Sequence, residues 1–120
     1  EVLIDITNKI KSILNETDIS EGILKIYIPH TTAGVTINEN ADPSVKDDIV
    51  NQLREFIPKN AGYSHREGNA DAHIKSTLTG SSVDVLIHKG NLVLGTWQGI
   101  MFAEFDGPRS RKAYIQIQGN

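Results

Sequence analysis

Four groups of residues carry side chains that can do chemistry. The first is Pro29-His30-Thr31-Thr32-Ala33-Gly34, followed by Asn38-Glu39-Asn40-Ala41-Asp42-Pro43. The second is Tyr63-Ser64-His65, then Asn69-Ala70-Asp71-Ala72-His73-Ile74-Lys75. Neutral imidazole is the commonest metal ligand, and a carboxylate often orients it. His30, His65 and His73 come from separate elements. Three such donors can leave an open coordination position, as catalytic zinc sites do. The eight-residue gap between His65 and His73 is not a fixed helical spacing, so it specifies no metal by itself. Hydrogen-bonding surface histidines satisfy the same pattern. Glu39 is the acid/base candidate, and Asp71 is placed to orient a ligand imidazole. Asn40 is also a candidate, whereas Asp42 reads as a helix cap. His88, beside Lys89 and Gly90, reads as exposed and structural.

The third group is Gly95-Thr96-Trp97-Gln98, with the only Trp of the chain. Its ring is either a core element or a stacking wall for a heteroaromatic ligand. On a strand, Gln98 would face away from Trp97. The fourth group is Glu104, Asp106-Gly107-Pro108-Arg109 and Arg111-Lys112. Its cations can hold a phosphate, Arg109 by a two-pronged fork. A solvated charged turn is the plainer reading. No Walker loop, Rossmann glycine pattern or nucleophile elbow occurs.

The elements that must position these residues follow from periodicity. Val2, Ile4 and Ile6 alternate as an opening strand. Thr7 is a possible cap for a short helix carrying Ile10, Ile13 and Leu14 and ending near Glu16. Ile23–Ile28 and Ala33–Asn38 read as strands. The next helix starts at Asp42-Pro43, since proline suits a first helical position, and Pro58 stops it. Val45, Ile49, Leu53 and Phe56 line one of its faces, with Asp47 and Asp48 near its positive end. Residues 60–69 read as a loop and Ala70–Leu78 as a third helix ended by Gly80. Ser82–Ile87, Leu92–Gln98, Ile100–Phe105 and Ala113–Gln118 read as strands, with turns at Lys89-Gly90-Asn91 and Asp106-Gly107-Pro108. Strands this close together pair antiparallel. The class is α+β: a mainly antiparallel sheet or sandwich with about three helices. Whether His30 and Glu39 share a rim or sit at opposite rims is open at this level.

At 120 residues the chain is one domain, residues 1–120. Twelve basic and fifteen acidic residues leave a net charge of −3, which argues against nucleic-acid binding. No apolar run exceeds about five residues (Gly99–Ala103), far from the ~18 that span a bilayer. The absence of cysteine excludes disulfides and thiolate chemistry and fits a cytoplasmic protein. A core this modest favours self-association.

The order of these motifs resembles the YjbQ family over nearly the whole chain. The resemblance is carried by His30 to Pro43, Tyr63-Ser-His65, Asn69 to Lys75, Leu94-Gly-Thr-Trp97-Gln98-Gly-Ile and Glu104-Phe-Asp-Gly-Pro-Arg109. It implies a homotrimer with sites near subunit boundaries. It also implies that His30, His65 and His73 converge, with Glu39, Asn40, Asp71 and Gln98 near them. The activity often attached to the family is thiamine-phosphate synthesis, joining a pyrimidine diphosphate to a thiazole phosphate with release of pyrophosphate. Such a transfer needs a divalent ion, Zn²⁺ on imidazoles or Mg²⁺ with the diphosphate. It also needs cations for the leaving group, for which Lys75, Arg109 and Arg111 are candidates. The alternative expectation is a non-catalytic trimer that binds a phosphorylated metabolite or a partner protein.

Overall fold

The computed structural model describes all residues from Glu1 to Asn120. The opening strand β1 spans Val2–Asp5 and leads into α1, Thr7–Asn15. Thr7 is already helical, and it is Asp5 that does the capping. The Asp5 carboxylate accepts from the Thr7 N–H at 2.9 Å and from its hydroxyl at 2.6 Å. The Thr7 hydroxyl in turn accepts from the Ile100 N–H at 2.9 Å, which stitches the helix start to the sheet.

Two strands follow, β2 (Gly22–Tyr27) and β3 (Ala33–Glu39), then α2 (Pro43–Phe56). The Asp42 carboxylate accepts from the Ser44 N–H, and Pro43 occupies the first turn as expected. Asp47 and Asp48 fall beyond that first turn. Helix α3 (Ala70–Thr79) ends at Gly80, whose φ of 97° a side chain would disfavour. Strand β4 (Ser82–His88) turns through Lys89 and Gly90, both at positive φ, into β5 (Asn91–Leu92). Two consecutive positive-φ residues match the twist that a two-residue hairpin needs. The predicted strand over Leu92–Gln98 shrinks to this short β5. The chain leaves the sheet after Leu92 and folds into a turn, where the Gly95 N–H donates to the Gln98 side chain at 2.8 Å. Strands β6 (Gln98–Glu104) and β7 (Tyr114–Gly119) complete the fold.

All strand pairs are antiparallel, in two sheets ordered β1-β6-β3 and β5-β4-β2-β7. Leu24, Ile26, Val85 and Ile87 of the second sheet meet Ala33, Val35, Ile100 and Phe102 of the first, and Ile10 and Leu14 of α1 close one side. The first sheet is covered on its other face too. There Leu3, Met101 and Ala103 pack against Ala72 of α3 and the partly buried Ile49, Val50 and Leu53 of α2. That double burial explains why Gly99–Glu104 is an unbroken buried run rather than an alternating one. Phe56, placed on the apolar face of α2 by periodicity, is the last residue of the helix and lies 74% exposed.

Helix α3 sits directly on β3. Ser76 donates its hydroxyl proton to the Ala33 carbonyl at 2.7 Å. Gly34 makes this approach possible, since a Cβ there would lie 2.5 Å from the Gly80 carbonyl oxygen. Gly34→Ala is expected to destabilise the fold by about 1–3 kcal/mol through overpacking, read as a lower urea midpoint at unchanged slope. Gly68→Ala, where no atom lies within 4 Å of the new Cβ but φ is +79°, is expected to cost about 1–2 kcal/mol through backbone strain alone.

Candidate functional site

The pairing of β3 with β6 decides where the motif residues go. Ala33 faces Glu104 at one end of the pair and Glu39 faces Gln98 at the other. Seven residues in extended form put these ends roughly 20 Å apart. The histidine motifs gather at the Ala33 end, while Glu39, Asn40, Trp97 and Gln98 gather at the opposite rim.

At the first end, His65 comes from the 57–69 loop and His73 from the first turns of α3. Their rings meet edge to face with centroids 5.2 Å apart. Thr31, His73, Ser76 and Thr77 line a shared groove beside Gly80. His30 does not join the imidazole pair. Its Nε2 accepts the backbone N–H of Lys112 at 2.8 Å, and the protomer contains no group of three His, Asp or Glu side chains placed to hold a metal. The expected convergence of His30, His65 and His73 is therefore absent within one chain. Two imidazoles are one donor short of the three protein ligands of a catalytic zinc centre, so a single protomer does not fit that ion. His88 is exposed and paired with the Glu21 carboxylate.

Asp71 and Lys75 do not face the imidazoles. Lys75 is fully buried between α3 and β1, where its ammonium donates to Asp71 at 2.9 Å and to Glu1. Burial alone would lower the Lys75 pKa, but the two carboxylates outweigh it and hold the ammonium charged. Glu1 also accepts from Arg54 of α2 at 3.1 Å, so one carboxylate ties both helices to the edge of the sheet. The pair spans one helical turn, the usual i, i+4 arrangement. Glu1, 74 residues away from Lys75, gave no local signal. The expectation that Lys75 grips a phosphate and that Asp71 orients a histidine gives way to this buried ion cluster.

Arg111 is likewise engaged. It donates to Glu104 from Nε at 2.7 Å and again from its terminal nitrogen, and to the Thr32 hydroxyl at 2.9 Å. Burial would raise the Glu104 pKa, yet Arg111 and the Asp106 N–H hold it below the usual carboxylate range. Arg109 is more available: it contacts the carbonyl and carboxylate of Asp106, and its side chain is 56% exposed. Asp106 in turn accepts from Asn69 at 2.8 Å, which links this turn to the start of α3.

At the opposite rim, the Glu39 carboxylate accepts from the Ala41 N–H at 2.9 Å and Asn40 donates to Asp5 at 3.0 Å. Gly99 leaves room for Asn40, whose side chain would collide with any Cβ there. Trp97 lies in the turn and is 63% exposed, so it is not a core residue of the protomer. Trp97 closes the turn and Gln98 opens β6, so the two are not consecutive residues of one strand and the expected alternation does not apply to them. One side-chain oxygen on Asn40 and one on Asn69 are buried without a donor, one at each end of the sheet.

A small α+β sandwich with two helices on one sheet, its polar motif residues divided between the two ends of that sheet, defines the structural class. The family profile described as UPF0047 protein YjbQ-like matches residues 1–120, and the chain belongs to the YjbQ family. The UPF0047 protein MJ1081 of Methanocaldococcus jannaschii is 59% identical over 120 residues, covering 100% of this chain and 87% of that protein. The UPF0047 protein YugU of Bacillus subtilis is 52% identical, covering 98% and 89%. A solved YjbQ/UPF0047-family protein from Clostridium acetobutylicum superposes with a TM-score of 0.95 at 53% identity, covering 97% and 90%. The protein APE1520 of Aeropyrum pernix K1 does so with a TM-score of 0.94 at 38% identity, covering 99% and 90%. No helix of the chain is long and apolar enough to cross a membrane.

Arg111→Ala strands a buried carboxylate and is expected to cost about 3–5 kcal/mol at neutral pH, measured by urea unfolding. Because the folded-state pKa of Glu104 is depressed, its stabilising share is complete above the ordinary carboxylate pKa and is lost as pH falls through the depressed value. The gap between wild type and variant should therefore narrow in acid, and an unchanged gap would contradict the assignment.

Proposed function

We propose that the chain is one subunit of a cytoplasmic homotrimeric enzyme whose active centre lies across a subunit boundary and acts, with a divalent metal, on a small phosphorylated substrate. The observation that carries this reading is the division of the motif residues between two rims of one sheet. In a closed ring with head-to-tail contacts, one rim of each copy meets the opposite rim of the next. His65 and His73 of one copy would then face Glu39, Asn40, Trp97 and Gln98 of another.

In this centre His65 and His73 are the protein's metal ligands, completed by a donor from across the boundary. A divalent ion bound there, most simply Zn²⁺, would supply positive charge to a phosphoryl oxygen. Glu39 is the proton carrier, held at its place by the Ala41 N–H. Trp97 offers an exposed aromatic face to a heteroaromatic ring, and Arg109 offers a guanidinium to the departing diphosphate. Thiamine-phosphate synthesis, with pyrophosphate as the leaving group, is the reaction named by the resemblance and is the first one to assay.

Two measurements test this. Zinc titration by calorimetry should show saturable binding that His73→Ala weakens by about tenfold or more, the loss expected when one ligand is removed, while His88→Ala leaves it unchanged. In a co-refolded equal mixture of Glu39→Gln and His73→Ala chains, about a quarter of the boundaries of a random trimer unite two intact halves. Activity should reappear at about that level from two inactive parents. A mixture as inactive as its parents would place the centre within one subunit and overturn the boundary reading.

A further inference from the structure

The two sheets of the sandwich are not sealed on every side. Strands β1 and β7 are the outer strands of their sheets on the same side of the molecule, and no backbone ladder joins them. The gap is a cavity of about 350 Å³, large enough for a small organic ligand. Its floor is an outward extension of the main core. Ile10 and Phe102 belong to both, and Ile4, Ile6, Ile13 and Ile115 continue the apolar lining. Ile4 and Ile13, on this floor, are 45% and 39% exposed. Water therefore wets surface that the pattern of the strand and helix assigns to the interior.

The rim is different in kind. Lys9, Arg109, Arg111 and Lys112 surround the floor, against Glu104 as the single carboxylate of the lining. Arg111 is consumed by Glu104, and Arg109 leans on Asp106. Lys9 and Lys112 make no ion pair at all, their nearest carboxylates lying beyond 4.0 Å. A chain with a net charge of −3 thus concentrates uncompensated positive charge at the mouth of its apolar gap. A concave apolar slot fixes a hydrophobic body, and a few convergent charges fix the head. We propose that this gap is a binding site for a small amphipathic oxyanion: an alkyl or aromatic tail buried between β1 and β7, and a phosphate or carboxylate head held by Lys9 and Lys112. Lys9 and Lys112 have no part in the proposed active centre, so the site does not depend on any reaction there.

Octyl phosphate below its micellar concentration is the test probe, with octanoate to vary the head, octanol to remove it and inorganic phosphate to remove the tail. Binding is read by calorimetry and by amide shifts in wild type and in Lys9→Glu/Lys112→Glu, a change on exposed side chains. Octyl phosphate should saturate with shifts confined to residues 4–13 and 109–115. Octanol and inorganic phosphate should each bind about tenfold more weakly or worse, and the double charge reversal should weaken octyl phosphate by about tenfold or more. Comparable binding of octanoate would assign the site to oxyanions in general, and its failure would narrow it to phosphates. Octanol binding as well as octyl phosphate, shifts located elsewhere, or indifference to charge reversal would overturn the proposal. So would these amides being exchange-protected in the ligand-free protein by a second copy of the chain.

Discussion

The register of β3 against β6 is the constraint on which everything functional depends. Strand β6 is central in its sheet, buried on both faces, and its seven residues pair one for one with β3. A slip by one residue would turn every side chain of β3 to the opposite face. Both faces are occupied, by the second sheet on one side and by α3 on the other, so such a slip would destroy two packing layers at once. The register is therefore tightly determined, and with it the roughly 20 Å that separates the Glu39 rim from the His30 rim. Residues close in the chain, such as His30 and Glu39, are driven apart by the strand between them. His65 and His73 meet because a loop, not a strand, connects them.

Charged side chains divide into those used up by the fold and those left free. Lys75, Asp71 and Glu1 form a buried cluster that joins α3 to β1, and through Arg54 the same carboxylate reaches α2. Arg111, Glu104 and Thr32 do the equivalent work where the β6–β7 connection crosses the end of the sandwich. Removing one member of such a pair leaves a charge that neither water nor protein satisfies. These residues are indispensable for a reason unrelated to catalysis. Arg109, Lys112 and Lys9 lie close by with far weaker commitments. The distinction between the two groups is one of partners, not of residue type.

The elements were largely legible in the sequence, because their signals are local. Asp42-Pro43 marks the start of α2 by hydrogen-bonding capacity and a missing donor, and the helix begins there. Lys89-Gly90 marks a hairpin by its backbone freedom, and β4 turns there. Local signals mislead where a side chain takes the place of a backbone partner. Gln98 closes a turn onto Gly95, cutting short the strand that Leu92–Gln98 suggested. Asp5 caps α1 from two residues before Thr7, a position that alternation assigns to the strand. The candidate site was legible as a set of residues but not as a geometry. Asp71 and Lys75 stand one helical turn apart, which does predict their pairing, but nothing local foretold that Glu1 would bury them. Likewise the Lys112 N–H that takes up His30 lies 82 residues downstream.

The same reasoning shows why net charge is a poor guide to ligand here. A total of −3 disfavours a polyanion spread across the surface, because that contact samples the whole charge distribution. It says little about a small anion, which samples only the few charges within about a Debye length, ~8–10 Å. Within that radius what counts is which cations already have partners. The fold satisfies its most buried cations, Lys75 and Arg111, with carboxylates of its own, and leaves Lys9 and Lys112 unpaired at an apolar opening. Desolvated apolar surface beside unpaired charge is a combination that neither water nor a neutral hydrocarbon satisfies. Only a molecule with both an apolar body and an anionic end does so, and that requirement follows from the open edge of the sandwich.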